Sequence, residues 1–365
     1  MKTLLIVLFL FAILFILFLN HPMFGKLPSG ERLERIKKAK NTQNGTFQNQ
    51  NHTPDFAEGE TYLSVVWYLL FGRNKNLSPK TQIPFEKTDI NALDNYKDLL
   101  IWFGHSSYYF QVDGKRFLVD PVFSGSASPV PYSVGAFSGS NHYQVEDLPF
   151  VDVLFISHDH WDHLDYKTIK KLKSKIGKVV CPLGVGEHLE YWGLDKSKIE
   201  EKNWGENLHL FEGFEVFFTP SRHFSGRGLF RNKSLWTSFV LKTKAMNLFL
   251  GGDSGYDTHF KEIGTQFGPF DLAILENGQY DAKWKYIHLM PKEILLAAKD
   301  LGAKRLLPVH SSKFALSNHP WKEPLQKITQ NAKKENFPIL TPKIGEVVYL
   351  KEENQSFSAW WEGVE

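Results

Sequence analysis

The hydrophobic and polar positions divide the chain into an apolar start, a polar stretch and a long region of alternating elements. Residues 4–19 are sixteen uninterrupted apolar residues, close to the roughly 17–25 that a helix needs to span a bilayer. Residues 41–60 are polar and poor in aliphatic side chains, which is typical of a flexible tether. The pattern predicts a transmembrane anchor or signal sequence over 1–24, a polar basic linker over 25–60 and one folded domain over 61–365.

An uncleaved anchor is favoured over a cleaved signal sequence, because no small-residue cleavage pattern and no lipidation cysteine follow the apolar run. Basic residues downstream outnumber Lys2 and the amino terminus upstream. The positive-inside rule therefore places the folded domain in the cytoplasm; the alternative is a merely solvated basic linker. The downstream residues are Lys26, Arg32, Arg35, Lys37, Lys38 and Lys40.

Residues 62–71 form a second, shorter apolar run. Such a run is either an interfacial helix that lies on lipid or a helix that covers the core of its own domain. The second arrangement is the more common one and is the one we expect.

From residue 98 onward, short apolar runs alternate with amphipathic segments. Asp113-Gly114 predicts a hairpin turn, and residues 124–144, rich in Ser, Gly and Pro, predict a long loop of the kind that is often functional. Strands and helices that alternate in both halves predict a layered α/β sandwich. The predicted strands are 99–103, 108–112, 117–119, 151–156, 178–181, 215–219, 238–243, 247–250, 272–275 and 305–309, and the predicted helices include 166–173, 185–192 and 292–301.

Composition narrows the class of protein. The 43 basic and 40 acidic residues give a net charge of +3 with histidine neutral, a balance that gives no reason to propose a nucleic-acid partner. Cys181 is the single cysteine, so an intrachain disulfide framework is excluded. The oligomeric state stays open, a homodimer included.

The chemistry concentrates directly after the predicted strand 151–156. Four side chains that bind metals lie within six residues, on a turn that precedes a helix capped by Asp165. Imidazole and carboxylate are ligands that Zn²⁺ favours, whereas the alternative, a polar surface turn, does not explain four such groups. These residues are His158, His160, Asp162 and His163.

Three further apolar strands end in a metal-binding side chain. They deliver His223, Asp253 and His310, the second after two glycines that let the backbone approach closely. Together with the cluster, they supply seven ligands. Seven ligands suit two metal ions that share one carboxylate, the arrangement of two-metal hydrolases.

The stretch Ser157-His-Asp-His-Trp-Asp-His163, followed by His223, Asp253 and His310, resembles the metallo-β-lactamase superfamily. Within it, the chain is similar to the N-acylphosphatidylethanolamine-hydrolysing phospholipase D family and its bacterial relatives, over roughly residues 95–350. The shared motifs lie at 104–107, 120–124, 157–163, 219–223, 233–236, 252–256, 267–271 and 314–318.

The resemblance implies an αββα sandwich, two β-sheets flanked by helices, preceded here by the anchor helix. It implies two zinc ions, with iron or manganese as alternatives, and a bridging Asp253 together with a hydroxide. Asp120 would orient a ligand histidine, and His288 would lie near the substrate phosphate, while His105 is expected to be structural. One zinc would bind His158, His160 and His223, and the other Asp162, His163 and His310.

The implied reaction is attack of metal-bound hydroxide on a phosphodiester, with Asp162, Asp253 and His288 as catalytic residues and an N-acylethanolamine as leaving group. The membrane would be reached through residues 4–19. The chain departs from the family at 275–281, where Glu276, Asn277 and Gln279 replace an apolar segment. This departure favours an alternative, a lactonase or phosphoester hydrolase acting on a small polar substrate. A membrane-tethered binding protein without activity is the remaining alternative, which the intact ligand set argues against.

Overall fold

The computed structural model describes residues 2–130 and 133–365 of the chain. The helices of these residues are α1 (Lys2–Leu19), α2 (Gly30–Lys38), α3 (Tyr62–Phe71), α4 (Tyr166–Leu172), α5 (Gly186–Tyr191), α6 (His259–Phe267), α7 (Glu293–Asp300) and α8 (Glu323–Glu335). The strands are β1 (Thr42–Gln43), β2 (Thr46–Phe47), β3 (Leu99–Trp102), β4 (Tyr108–Val112), β5 (Lys115–Val119), β6 (Val151–Phe155), β7 (Ile176–Pro182), β8 (Ile199–Lys202), β9 (Asn207–Phe211), β10 (Phe214–Thr219), β11 (Ser238–Lys242), β12 (Asn247–Leu250), β13 (Leu272–Glu276), β14 (Leu306–Val309) and β15 (Val347–Tyr349).

The long strands form two mixed sheets. One has the strand order β15-β3-β4-β5-β6-β7-β8, and the other has the order β14-β13-β12-β11-β10-β9. Strands β5 to β8 pair in parallel, as do β12 to β14, and the other neighbours pair antiparallel. In such parallel segments the carboxyl ends of neighbouring strands meet at one edge of the sheet, where functional side chains usually collect.

Alternate residues of each strand point to opposite faces, which creates three core layers. Phe110 and Phe155 of the first sheet pack against Phe218 and Phe239 of the second in the central layer. The outer face of the first sheet is covered by α4 and α5, and that of the second by α6, α7 and α8. The predicted αββα sandwich is therefore confirmed.

The hairpin between β4 and β5 turns where the sequence predicts. Asp113 and Gly114 have φ of 50° and 73°, the pair of positive values that a tight turn between twisted strands requires.

No residue of α1 is buried, although Phe18 and Leu19 at its end are half-buried, and the helix is long and apolar enough, by composition, to cross a membrane. The second apolar helix, α3, does not cover the core as expected. Only Val65 of this helix is buried, whereas Leu63 is 83% and Trp67 is 67% exposed. Its outer apolar face therefore has no protein against it in the described chain.

The polar linker predicted over 25–60 contains folded elements. Residues 20–47, which we call the strap, comprise a 3₁₀ turn, α2 and the β1–β2 hairpin. Ile36 and Phe47 are fully buried against Leu183 and Trp236 of the domain. Arg32 pairs with three carboxylates, those of Glu187, Glu190 and Glu201. Two isolated apolar side chains and one multiply paired arginine thus hold a polar segment that has no periodic pattern.

Candidate metal centre

The site lies at the edge where the carboxyl ends of strands from both sheets meet. The loop after β6, residues 157–165, which we call the ligand loop, carries four of the predicted ligands. His223 follows β10, Asp253 follows β12 and His310 follows β14. Gly252 allows this close approach, because a Cβ at that position would lie 2.8 Å from the Cβ of Ser157 and its φ is 61°.

The structure brings all seven predicted ligands together. The ring nitrogen Nδ1 of His160 lies 2.9 Å from Nε2 of His158 and 3.2 Å from Nε2 of His223. A second group with ligand atoms within 4.8 Å of one another contains His105, Asp162, His163 and His310. The arrangement thus forms two adjacent sets of three or four donors.

Asp253 lies between the two sets. Its Oδ2 is 3.2 Å from Nε2 of His163 and 3.7 Å from Nε2 of His223, and its Oδ1 is 3.3 Å from Nδ1 of His310. A carboxylate in this position can contact an ion in either set.

Two observations indicate that these donor atoms can bind metal ions. Nε2 of His163, Nε2 of His310 and Oδ1 of Asp253 are buried without a hydrogen-bond partner among the described residues, a costly condition that a bound cation would relieve. Burial also holds the pKa of His158 and His223 well below the usual value, which keeps these rings in the neutral form that binds metals.

The pKa values of the two acidic ligands shift in opposite directions, although burial opposes ionisation of both. Burial raises the pKa of Asp253 to about 6. Burial also opposes ionisation of Asp162, but the neighbouring His163 and His105 outweigh it and hold its pKa well below the usual range. A cation bound between them would favour the ionised form of both.

The predicted second carboxylate, Asp120, contacts the site as the resemblance implies. Its Oδ2 is 2.8 Å from Nδ1 of His163 and accepts a hydrogen bond from Ser157 Oγ at 2.6 Å, while Oδ1 accepts one from Ser157 N. The carboxylate therefore orients one ring and the first residue of the ligand loop. Such partners fix the ring orientation of a metal-ligating histidine.

Two positioning residues were missed from the sequence. His105, expected to be structural, has Nε2 2.8 Å from Oδ2 of Asp162, and Ser106 Oγ is 2.8 Å from Nδ1 of His310. Both belong to the motif at 104–107, which was the available signal. Neither residue has a polar partner near it in sequence, so the contacts could not be assigned without the fold.

The polar segment at 275–281 contributes Gln279 alone to the described lining of the pocket, so the expectation that this segment makes the pocket polar was wrong. Glu276 is buried and accepts hydrogen bonds from the backbone of Ser254 and Leu289, and its Oε2 lies 2.5 Å from Nδ1 of His288. The side chain of Gln279 is bonded to backbone groups at 310–317. These groups are occupied within the scaffold, so the segment no longer favours a small polar substrate.

A pocket of about 490 Å³ opens over the ligands. His160, Asp162, His223, Asp253, His288 and His310 line its floor. Its walls are mainly apolar, and Arg231 is the one lysine or arginine among the described residues that line it. The other wall residues include Phe56, Tyr62, Val65, Leu69, Trp161, Phe224, Trp284, Ile287 and Leu316.

Comparison with known proteins agrees with this geometry. Residues 115–311 match a family model described as a beta-lactamase superfamily domain. A protein of Mycobacterium tuberculosis that carries no assigned function is 35% identical over 316 residues, which cover 86% of this chain and 85% of that protein. The N-acyl-phosphatidylethanolamine-hydrolyzing phospholipase D 1 of Caenorhabditis elegans is 29% identical over 247 residues, 63% of this chain and 68% of that enzyme. The structure of a metallo hydrolase from Ignicoccus hospitalis is similar with a TM-score of 0.54 and 20% identity, over 69% of this chain and 98% of that chain.

Proposed function

We propose that this chain, which belongs to the metallo-β-lactamase superfamily of metal-dependent hydrolases, is a membrane-anchored phospholipase D-type phosphodiesterase that acts on N-acylphosphatidylethanolamine-like lipids. The observation that carries the proposal is the apolar pocket whose floor is the candidate metal centre and whose wall is α3. A phosphodiester reaching that floor would leave its acyl chains in apolar surroundings.

Helix α3 supports a lipid substrate because it is apolar on two faces. Tyr62, Val65 and Leu69 line the pocket, whereas Leu63 and Trp67 point outward and are mostly exposed. A helix that is apolar all round is normally buried in a core or in a membrane. We infer that the outer face of α3 rests in the bilayer and that acyl chains pass along it into the pocket.

The ligand sets of the site are suited to two zinc ions. When bound, the ions would supply a nucleophilic water of lowered pKa and draw off charge that develops on the phosphate. Asp253 would hold both ions, since it faces both histidine sets, and Asp162 would be fixed by its contact with His105.

His288 would position the substrate phosphate. Its Nδ1 lies 2.5 Å from the Glu276 carboxyl, so Nε2 is the nitrogen left for a ligand in the pocket. Burial raises the pKa of Glu276 well above its usual value. A protonated Glu276 donates to Nδ1, and the neutral imidazole then carries its proton on Nε2, where it donates to a phosphate oxygen.

The test uses full-length protein loaded with zinc and N-acylphosphatidylethanolamine in vesicles, with products identified by mass spectrometry. We expect an N-acylethanolamine and phosphatidic acid from the wild type and neither from Asp253→Asn. Metal content near two ions per chain without any release of product would reject the phospholipase assignment.

A double variant and a matched control test the contribution of α3. Trp67→Gln with Leu70→Gln removes two exposed apolar side chains, each contributing about 1.5–3 kcal/mol when buried, so the rate on vesicles should fall by at least roughly tenfold. Cleavage of a soluble phosphodiester should not change. The matched control, Tyr96→Gln with Leu296→Gln, removes exposed apolar side chains elsewhere, and equal losses in both pairs would reject the role of α3.

A further inference from the structure

We propose that the cavity between the end of α1 and the domain binds the head group of an anionic phospholipid, at a site separate from the metal centre. The cavity has a volume of about 460 Å³ and is lined on one side by Leu19 and residues 24–28 and on the other by residues 227–230 and 233–234. The proposal rests on the proposed anchoring through α1, and it does not depend on the phospholipase reaction.

The cavity lies where the head groups of a bilayer would be. Leu19 is the last residue of α1 and lines the cavity, so a span that ends there places the following residues at the membrane interface. The strap fixes this junction on the domain. Trp192 Nε1 donates a hydrogen bond to the carbonyl of Pro22 at 2.7 Å, and Arg227 donates to the carbonyl of Met23 at 2.9 Å.

The positive charge in the cavity is only partly compensated. Lys233 Nζ has the carbonyl of Gly45 at 3.3 Å, and none of the described carboxylates forms an ion pair with it. Arg227 is buried and donates to the carbonyls of Met23, Asp159 and Leu164. A buried arginine that forms no ion pair with a described carboxylate, together with a lysine that is bonded to a carbonyl oxygen, favours an anionic ligand.

The acidic side chain that lines the cavity is already occupied. The carboxylate of Asp159 accepts hydrogen bonds from Gly226 N and Ser234 Oγ and lies 3.3 Å from Nε2 of His188. Lys26, which is 55% exposed, has Glu187 at 3.3 Å on one side, and its remaining donors have no partner in the part of the chain that the structure describes. Lys26 and Lys233 are therefore the groups that can reach a phosphate.

The rim of the cavity is apolar and uncovered. Leu229 and Phe230 are 71% and 60% exposed, and Leu27 is 45% exposed. These side chains line the same cavity as Leu19, the last residue of α1, and the acyl chains of a bound lipid would run along them. Cationic donors inside and an apolar rim at the same site match a phosphate with attached acyl chains better than free phosphate.

The test titrates full-length protein in detergent micelles with phosphatidylglycerol or with phosphatidylcholine of the same chains, and counts bound lipid by native mass spectrometry. We expect one phosphatidylglycerol per chain in preference to phosphatidylcholine. Lys26→Gln with Lys233→Gln should weaken binding roughly 25-fold, because each lysine near an anionic lipid contributes about 1 kcal/mol, or about fivefold. Equal binding of the two lipids would overturn the proposal.

The matched control is Lys37→Gln with Lys38→Gln, which removes two charges from α2 outside the cavity and should leave binding unchanged. If both double variants weaken binding equally, the attraction is a general effect of charge and the site is rejected. Displacement of the lipid by inorganic phosphate would likewise reject a lipid site. Because phosphatidylglycerol carries no N-acyl group and binding needs no turnover, a failed phospholipase assay leaves this test intact.

Discussion

A single carboxylate, that of Asp120, holds both the ring of His163 and the backbone of Ser157. An amide in its place cannot accept from both. We therefore expect Asp120→Asn to weaken metal binding about 10–100-fold, the usual effect of removing such a partner. Competition with a chelator measures this affinity. Asp152→Asn removes a carboxylate that accepts from Arg116 N at the far end of β6; unchanged metal affinity in Asp120→Asn, or an equal loss in Asp152→Asn, would contradict the assignment.

The buried amine of Lys313 should make the free energy of unfolding depend on pH. It is buried and donates to the carbonyl of Val122 at 2.9 Å, and burial lowers its pKa to about 7. In the unfolded chain the value is near 10.4, so between pH 7 and 10 the unfolded state binds the extra proton and the free energy of unfolding rises with pH. We expect the wild type to gain on the order of 3 kcal/mol over Lys313→Met across that range. Denaturant unfolding at several pH values measures the difference, and a constant difference would contradict a neutral buried amine.

At the scale of single residues, the metal ligands could be predicted from the sequence, whereas the residues that hold them in position could not. Each ligand follows an apolar strand within eight residues, which leaves a local pattern. Glu276 leaves none, because its partners, Ser254, Leu289 and His288, come from other segments. A polar residue beside a strand end looks like part of a pocket until its partners are known.

The strap is the element whose stability depends most on charge. Arg32 is 11% exposed and pairs with three carboxylates, so its removal takes the ion-pair partner from Glu190 and Glu201, while Glu187 keeps Lys26. We expect Arg32→Ala to cost about 3–5 kcal/mol of strap or protein stability. Lys37→Ala, which removes an exposed pair with Glu34, should cost far less, because water screens such a pair.

Hydrogen exchange at amides of the strap measures local opening for both variants. Equal protection in the two would show that the arginine does not hold the strap. The polar composition of residues 25–60 concealed this element, because only Ile36 and Phe47 are fully buried and two isolated apolar residues do not form a periodic pattern. The surroundings of helix α3 could not be predicted for a different reason, because an apolar composition is expected whether a helix contacts protein or lipid.

For the whole molecule, a layered α/β sandwich was predictable because both halves repeat the alternation of strand and helix, and the resemblance to the superfamily implied the αββα order of the layers. The last strand, β15, which pairs with β3 at the edge of the first sheet, could not be predicted, because three residues give too short a pattern. The arrangement on a membrane follows from α1, α3 and the rim at 229–230, which we propose contact one bilayer.

The side of the membrane gives a prediction at this scale. Basic residues after α1 outnumber those before it, so we expect the domain in the cytoplasm. The test is a reporter that is active only in the cytoplasm, attached through a flexible linker after Glu365, whose carbonyl accepts from Lys80 N. We expect this reporter to be active. A signal from an externally active reporter would contradict the charge argument.

The most direct test of the central claim is hydrolysis of N-acylphosphatidylethanolamine in water enriched in heavy oxygen. If water attacks phosphorus, the bond from phosphorus to the ethanolamine oxygen breaks. We predict one heavy oxygen in the phosphatidic acid and none in the N-acylethanolamine, with no products from Asp253→Asn. Heavy oxygen in the N-acylethanolamine would mean cleavage on the carbon side, and absence of both products from metal-loaded protein would mean that the substrate is a different one; either result would contradict the claim.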